Sequence, residues 1–309
     1  MEIVFLGTGP NKKVEKDGRT RSSLAVNTKN TPFLIDVSPD FSEQVNRENI
    51  NDISFILFTH GHNDCTGGIP QLHDWLKKKD IDSIPVFLEP ATWKRIKEDY
   101  KTVNFLSPRF IQPDTQTIVN DINIMPFRVE HSIQPGYPAV GYRIDDSLVY
   151  SEDVGAIPET SQKYYLNSDI IIFDAAMWFG RQIKGHQNAA DALKFAKEIK
   201  AKKFILMQAG HTYPPQNDAE AQINQYWKEI GGGDTEIILA HDGLRLNVRE
   251  NISQILSEAR EGIYMVRPHG SMIYSGDKSL IIKAKNYKNK IGKLLYLIED
   301  SLLLSHLRI

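Results

Sequence analysis

The sequence predicts an α/β protein in which two β-sheets pack together and carry helices on their outer faces. Three observations predict it. Strand-like apolar runs follow one another through the first half of the 309 residues, separated by Gly, Pro, Asn and Asp clusters. In the second half, short apolar strands alternate with segments of helical period. A composition of 41% hydrophobic, 9% aromatic and 25% charged residues belongs to a globular protein with a sizeable core and excludes disordered and low-complexity classes.

In chain order the expected strands are Glu2–Thr8, Ser23–Thr28, Pro32–Val37, Ile53–Thr59, Ile84–Leu88, Ile122–His131, Ala139–Ile144 and Leu148–Ser151. Asp169–Asp174 and Lys203–Met207 read as short buried strands, and Glu236–Val248 as a longer one broken at Asp242-Gly243. Asn188–Ile199 places Ala189, Ala192, Leu193, Ala196 and Ile199 on one helical stripe, with Asn188 as N-cap and Asp191 three residues on. Asp218–Ile230 reads as a second helix, stopped by Gly231-Gly232-Gly233, and Asn251–Glu261 as a last one. This divides the chain into a main domain over 1–250 and, over 251–309, a helix with a small, basic, β-rich unit.

No apolar run approaches the roughly 18 residues of a membrane helix, which excludes a helical span. The opening Met1-Glu2-Ile3-Val4-Phe5-Leu6-Gly7 lacks a basic segment and a cleavage site, so it reads as a first strand and the expected location is the cytoplasm. One cysteine excludes an intramolecular disulfide framework. The net charge of −2 hides an asymmetry: residues 261–309 carry eight Lys/Arg against four acids, or +4, which leaves the rest of the chain at −6. Six lysines between Lys278 and Lys293 have no acid among them, a spacing that suits a phosphate backbone as well as a solvated face.

After the strand ending at Phe58 comes Thr59-His60-Gly61-His62-Asn63-Asp64-Cys65-Thr66-Gly67-Gly68. Four potential ligands within six residues, at the end of an apolar strand and before a glycine turn, surround one point. Two imidazoles with a carboxylate and a thiol suit zinc or a similar borderline metal.

His60-x-His62-x-Asp64 before Gly67-Gly68 resembles the signature of the metallo-β-lactamase superfamily, whose fold is an αββα sandwich with a metal site at the sheet edges. The opening through Gly9, Arg21-Ser22-Ser23, and Leu34-Ile35-Asp36 before Ser38-Pro39-Asp40-Phe41 resemble the branch of phosphoribosyl cyclic phosphodiesterases and tRNA 3′-processing endonucleases. The likeness covers about residues 1–248. It implies a first metal held by His60, His62 and His131, a bridging carboxylate at Asp153, and Asp64 as a second-metal ligand that also orients or deprotonates water. It places Arg21 near substrate and His186, in Gly185-His186-Gln187-Asn188, as the acid that protonates the leaving group; a helix-capping role is the alternative.

Two positions depart from that pattern. Cys65 stands where the family has a histidine after the aspartate, and Gln208 where it has a histidine after a later strand. Cysteine binds zinc well as thiolate, whereas a neutral amide binds it poorly, so a second site is weaker or differently built. His211 is a substitute ligand or a substrate contact; His241 is a further candidate, structural in most relatives, and Asp242 reads as a turn or supporting residue. His73, His269 and His306 read as structural.

The function that follows is hydrolysis of a cyclic, nucleotide or RNA phosphodiester with one or two divalent ions, zinc first and manganese or iron as alternatives. A divalent ion acidifies water and stabilises developing charge, and a histidine of ordinary pKa near about 6.5 can protonate the leaving oxygen. Hydrolysis of a carboxylic ester, thioester or lactone uses the same machinery. A non-catalytic nucleic-acid-binding scaffold is the reading that Cys65 and Gln208 favour. The sequence leaves the oligomeric state open, with a homodimer as one candidate because symmetric dimers are the commonest oligomers.

Gly262-Ile263-Tyr264-Met265, Ile273-Tyr274-Ser275-Gly276-Asp277 and Ile281-Ile282-Lys283-Ala284-Lys285 resemble the start of an ASCH or PUA-like barrel, a class associated with RNA. Residues 262–309 are fewer than such a barrel needs, so the segment reads as a small β appendage whose lysines are candidates for RNA contact.

Overall fold

The structure, a computed structural model, describes residues 1–28, 31–131 and 137–248, together with the backbone of three strands in the tail. The first sheet contains β1 (Glu2–Gly7), β2 (Ser23–Asn27), β3 (Phe33–Ile35), β4 (Phe55–Leu57), β5 (Ile84–Leu88) and β6 (Leu106–Phe110), side by side in chain order. The second contains β7 (Thr117–Val119), β8 (Ile122–Val129), β9 (Ala139–Ile144), β10 (Leu148–Ser151), β11 (Ile170–Asp174), β12 (Lys203–Met207) and β13 (Glu236–Leu239), again in chain order. β14 (Arg245–Asn247) then returns to the first sheet and pairs antiparallel with β1. The run read as one strand over 236–248 is therefore two strands in two sheets, with Asp242-Gly243 between them. Asp242 holds this crossing by accepting hydrogen bonds from the backbone and hydroxyl of both Thr8 and Thr20, at 2.6–2.9 Å.

Alternation along the strands explains why so many read as unbroken apolar runs. Ile3 and Phe5 face the second sheet while Val4 and Leu6 face outward, and all four are buried. Likewise Ile170 and Ile172 point inward, and Ile171 and Phe173 outward. Strands covered on both faces need apolar residues at every position. The outer cover of the first sheet is α1 (Phe41–Arg47), α3 (Ile69–Lys77) and α4 (Pro90–Asp99), which contribute Phe41, Val45, Leu72, Leu76 and Ile96 to one core, with the single turn α2 (Asn63–Thr66) ahead of α3. The second sheet is covered by α6 (Ala189–Ile199) and α7 (Gln216–Glu229), which bury Leu193, Ala196, Ile223 and Trp227; the short α5 (Glu159–Gln162) precedes β11. The four layers are the αββα sandwich.

Parallel pairing puts a helix between successive strands. β3, β4, β5 and β6 run parallel, as do β10, β11, β12 and β13, and their carboxyl ends are where ligands of such sheets bind. α6 starts as expected: the Asn188 side chain accepts from the Asp191 amide at 3.0 Å, a cap worth about 1 kcal/mol. α7 begins two residues before the expected start, at Gln216, behind Pro215.

The chain divides into two compact units, 1–249 and 250–309. In the second, β15 (Gly262–Met265) pairs parallel with β16 (Leu294–Glu299), which pairs antiparallel with β17 (Leu302–Arg308). The expected helix over 251–261 and the lysines from Lys278 to Lys293 lie outside the described residues. Among the described residues no helix is long and apolar enough to cross a membrane.

Candidate functional site

The side chains that converge here come from the carboxyl ends of strands and the loops that follow them. β4 ends at Leu57, and the loop that follows carries His60 and His62, the latter at the N-terminus of α2, whose first turn holds Asp64 and Cys65. His131 stands two residues beyond β8, Asp153 two beyond β10, Asp174 at the end of β11 and Gln208 directly after β12. β10, β11 and β12 are hydrogen-bonded neighbours, so the last three side chains share one edge.

Three ring nitrogens converge. His62 Nδ1 lies 2.9 Å from His60 Nε2 and 3.1 Å from His131 Nε2. The outer nitrogens of the two flanking rings are already engaged. The Thr59 hydroxyl donates to Asp36 Oδ2 at 2.7 Å, so at 3.0 Å it accepts from His60 Nδ1. His131 Nδ1 donates to the Gly185 carbonyl at 2.8 Å. Gly185 is held at φ +90°, and a Cβ there would run into the His131 carbonyl, so only glycine brings that acceptor under the ring. With both outer N–H groups spent, His60 and His131 turn bare Nε2 lone pairs inward.

Electrostatics supports that state. Burial holds His60 down to about 3, helped by the neighbouring imidazoles and opposed by Asp153, so its ring is neutral. Burial also lowers His62. Asp153 is buried as well, yet His131, His60 and His186 outweigh the desolvation and hold its carboxyl below the usual range. Burial and then the charge of Asp153 push Asp64 up to about 6. Asp36 rises to about 8 by burial, and Glu152 and Asp174 rise for the same first reason.

A proton on His62 Nδ1 can satisfy one of the two Nε2 lone pairs that face it and not both, whereas a cation at their centre satisfies all three rings. His60 Nε2 and His131 Nε2 are also 3.8 and 4.0 Å from the two oxygens of Asp153, too far for hydrogen bonds and close enough to share a centre. Three nitrogens and one carboxylate fit a zinc-like divalent ion. Cys65 Sγ lies 3.9 Å from Asp153 Oδ2 and forms a further group with His60 and Asp153.

The fold and this convergence agree with the comparison of sequences. Residues 31–207, more than half of the chain, match the model of the beta-lactamase superfamily domain. The chain belongs to the beta-lactamase superfamily. Its solved structural neighbours have the same fold. A diphosphatase of the PhnP family is 24% identical with a TM-score of 0.69, covering 80% of this chain and 98% of its own. The short form of human tRNase Z is 18% identical with a TM-score of 0.62, over 81% of this chain and all of its own. An octanoyltransferase of Porphyromonas gingivalis (strain ATCC BAA-308 / W83) is 25% identical over 272 residues, 80% of this chain. The chain spans about half, 53%, of that relative's length.

Within this superfamily site, a cavity of about 610 Å³ opens over the histidines, lined by His62, Asp64, His131, His186 and His211 and walled on one side by Ala176, Met177 and Ile183. His186 faces His131 edge-on at 4.9 Å, and its Nδ1 is paired with Asp174 Oδ2 at 2.8 Å. Burial opposes protonation of His186, but the charge and hydrogen bond of Asp174 outweigh it and raise the ring to about 9. Asp174 is itself fixed by the amides of Val154 and Ala176 at 2.9 and 2.8 Å.

Some expected residues lie elsewhere. Arg21, expected near substrate, does not line this cavity: its guanidinium pairs with Asp40 at 3.0 Å and with the Asn11 carbonyl. Gln208, weighed as a ligand, presents its amide nitrogen to Glu152 and Asp153. His211 lines the cavity but joins no ligand group, and exposed His241 bonds the Asp242 carbonyl at 3.1 Å. His73 stacks on Phe105 at 4.3 Å. Sequence reading passed over Asp36, Glu152 and Asp174. For Asp174 a signal existed, a carboxylate ending an apolar strand at the binding edge of a parallel sheet.

Proposed function

We propose that the protein hydrolyses phosphodiesters with a zinc ion held by His60, His62, His131 and Asp153. The observation that carries this reading is the His186–Asp174 pair, 2.8 Å apart, with His186 on the wall of the cavity that His62 and His131 also line. A divalent ion at such ligands supplies positive charge for the phosphoryl oxygens and an acidified water. Asp64, lining the same cavity, orients that water and takes its proton as the new P–O bond forms. Asp174 occupies Nδ1 of His186, so the proton that His186 gives lies on Nε2, and it passes to the leaving oxygen as the old P–O bond breaks. A thioester, whose leaving group is a thiolate, needs no such acid.

The cavity volume is that of a nucleotide-sized ligand. The diphosphatase and tRNase Z neighbours support a phosphorus substrate, while the octanoyltransferase relative makes acyl compounds the proper control. The test compares zinc-loaded protein on a nucleotide p-nitrophenyl phosphodiester, a p-nitrophenyl carboxylic ester and an acyl thioester. The phosphodiester should lead both acyl compounds in kcat/KM. Faster turnover of either acyl compound contradicts the reading.

A further inference from the structure

We propose that Gln208 confines this protein to one metal ion per chain, by placing an N–H donor where a second ion would need Asp153. The proposal rests on the metal reading above and concerns the number of ions.

Asp153 divides its oxygens between two neighbourhoods. Oδ2 lies 3.8 Å from His60 Nε2 and 3.9 Å from Cys65 Sγ. Oδ1, which also lies 4.0 Å from His131 Nε2 and 3.6 Å from His186 Nδ1, accepts a hydrogen bond from Gln208 Nε2 at 2.8 Å, and the same nitrogen donates to Glu152 Oε1 at 2.8 Å. Only the nitrogen end of an amide can sit between two carboxylate oxygens, because the reversed amide would set its own oxygen against both. Glu152 is held in turn by the Tyr150 hydroxyl, and Gln208 is buried to 2% exposure. An N–H group cannot ligate a cation. Here it fills a lone pair of Asp153 and supplies part of the positive charge that a second ion would bring.

The remaining donors make no independent site. Among the described residues, three groups of three have ligand atoms within 4.8 Å of one another. The first is His60, His62 and His131. Each of the other two borrows a histidine from it: His60 with Cys65 and Asp153, and His131 with Asp153 and His186. Asp64 joins none. Cys65 is thereby grouped around the same centre as the histidines.

The test is a count. Purified protein is stripped with chelator, loaded with excess zinc, passed through metal-free buffer, and its zinc measured against its sulfur by plasma mass spectrometry. Wild type should hold about one ion per chain. The Cys65→His/Gln208→His double variant should hold about two; histidine tolerates the left-handed backbone at this position, where φ is +62°. Two ions on wild type, or one on a folded double variant, overturns the assignment to Gln208. No ion on wild type overturns the metal reading itself. If the double variant does not fold, the wild-type count decides.

Discussion

The first sheet supplies its part of the site from one loop, with His60, His62, Asp64 and Cys65 all following β4 within six residues. The second sheet supplies single residues from the ends of four strands: His131 after β8, Asp153 after β10, Asp174 on β11 and Gln208 after β12. The loop side is set by local chain geometry and offers neutral imidazoles. The strand side is set by sheet register, and its carboxylates are tied by hydrogen bonds to backbone amides, Gln208 and His186. On the proposed reading each side gives the ion two ligands, His60 and His62 from the loop and His131 and Asp153 from the strand side, and proton delivery falls to the strand side.

Breaking the loop side should have the largest effect. His62→Ala should release the ion and lower turnover by more than the roughly 100-fold that loss of an outer partner costs, and zinc content with kcat/KM checks both. On the strand side, His186→Ala should leave zinc bound and slow a substrate with an alkoxide leaving group by about 10²- to 10⁴-fold, while p-nitrophenolate departs at nearly the wild-type rate. Equal losses on the two substrates would remove His186 as the acid.

Asp174→Asn sharpens the same division. As a positioning residue, Asp174 should contribute about 10- to 100-fold, with the leaving-group dependence of His186→Ala. The double variant should be no slower than His186→Ala, because the two act as one unit. Additive losses would separate them. The smallest effect is expected at the cap of α6: Asn188→Ala should lower stability by about 1 kcal/mol in denaturant unfolding and leave zinc content unchanged.

The same contrast decided what was legible in the sequence. The His60–Cys65 loop announces itself because its ligands are adjacent in the chain. Strands buried on both faces appear as apolar runs, and α6 shows its stripe and its cap. The helices of the first half, among them the single turn α2, were not legible. α3 and α4 carry proline in their first turn, at Pro70 and Pro90, which reads as loop punctuation although it also starts helices. α1 is seven residues long, too short to show a period. Long-range partners left no local trace: Gln208 meets Glu152 across 56 residues, and Asp242 meets Thr8 across 234. The resemblance placed Arg21 near substrate, and its pairing with Asp40, 19 residues away, left no local trace.

The most direct test of one ion driving phosphodiester cleavage is a zinc titration of chelator-stripped protein, with nucleotide phosphodiester turnover followed at each addition. Activity should rise linearly and break at one equivalent per chain, and His62→Ala should show no rise. A break at two equivalents, or full activity before any zinc is added, would contradict the account.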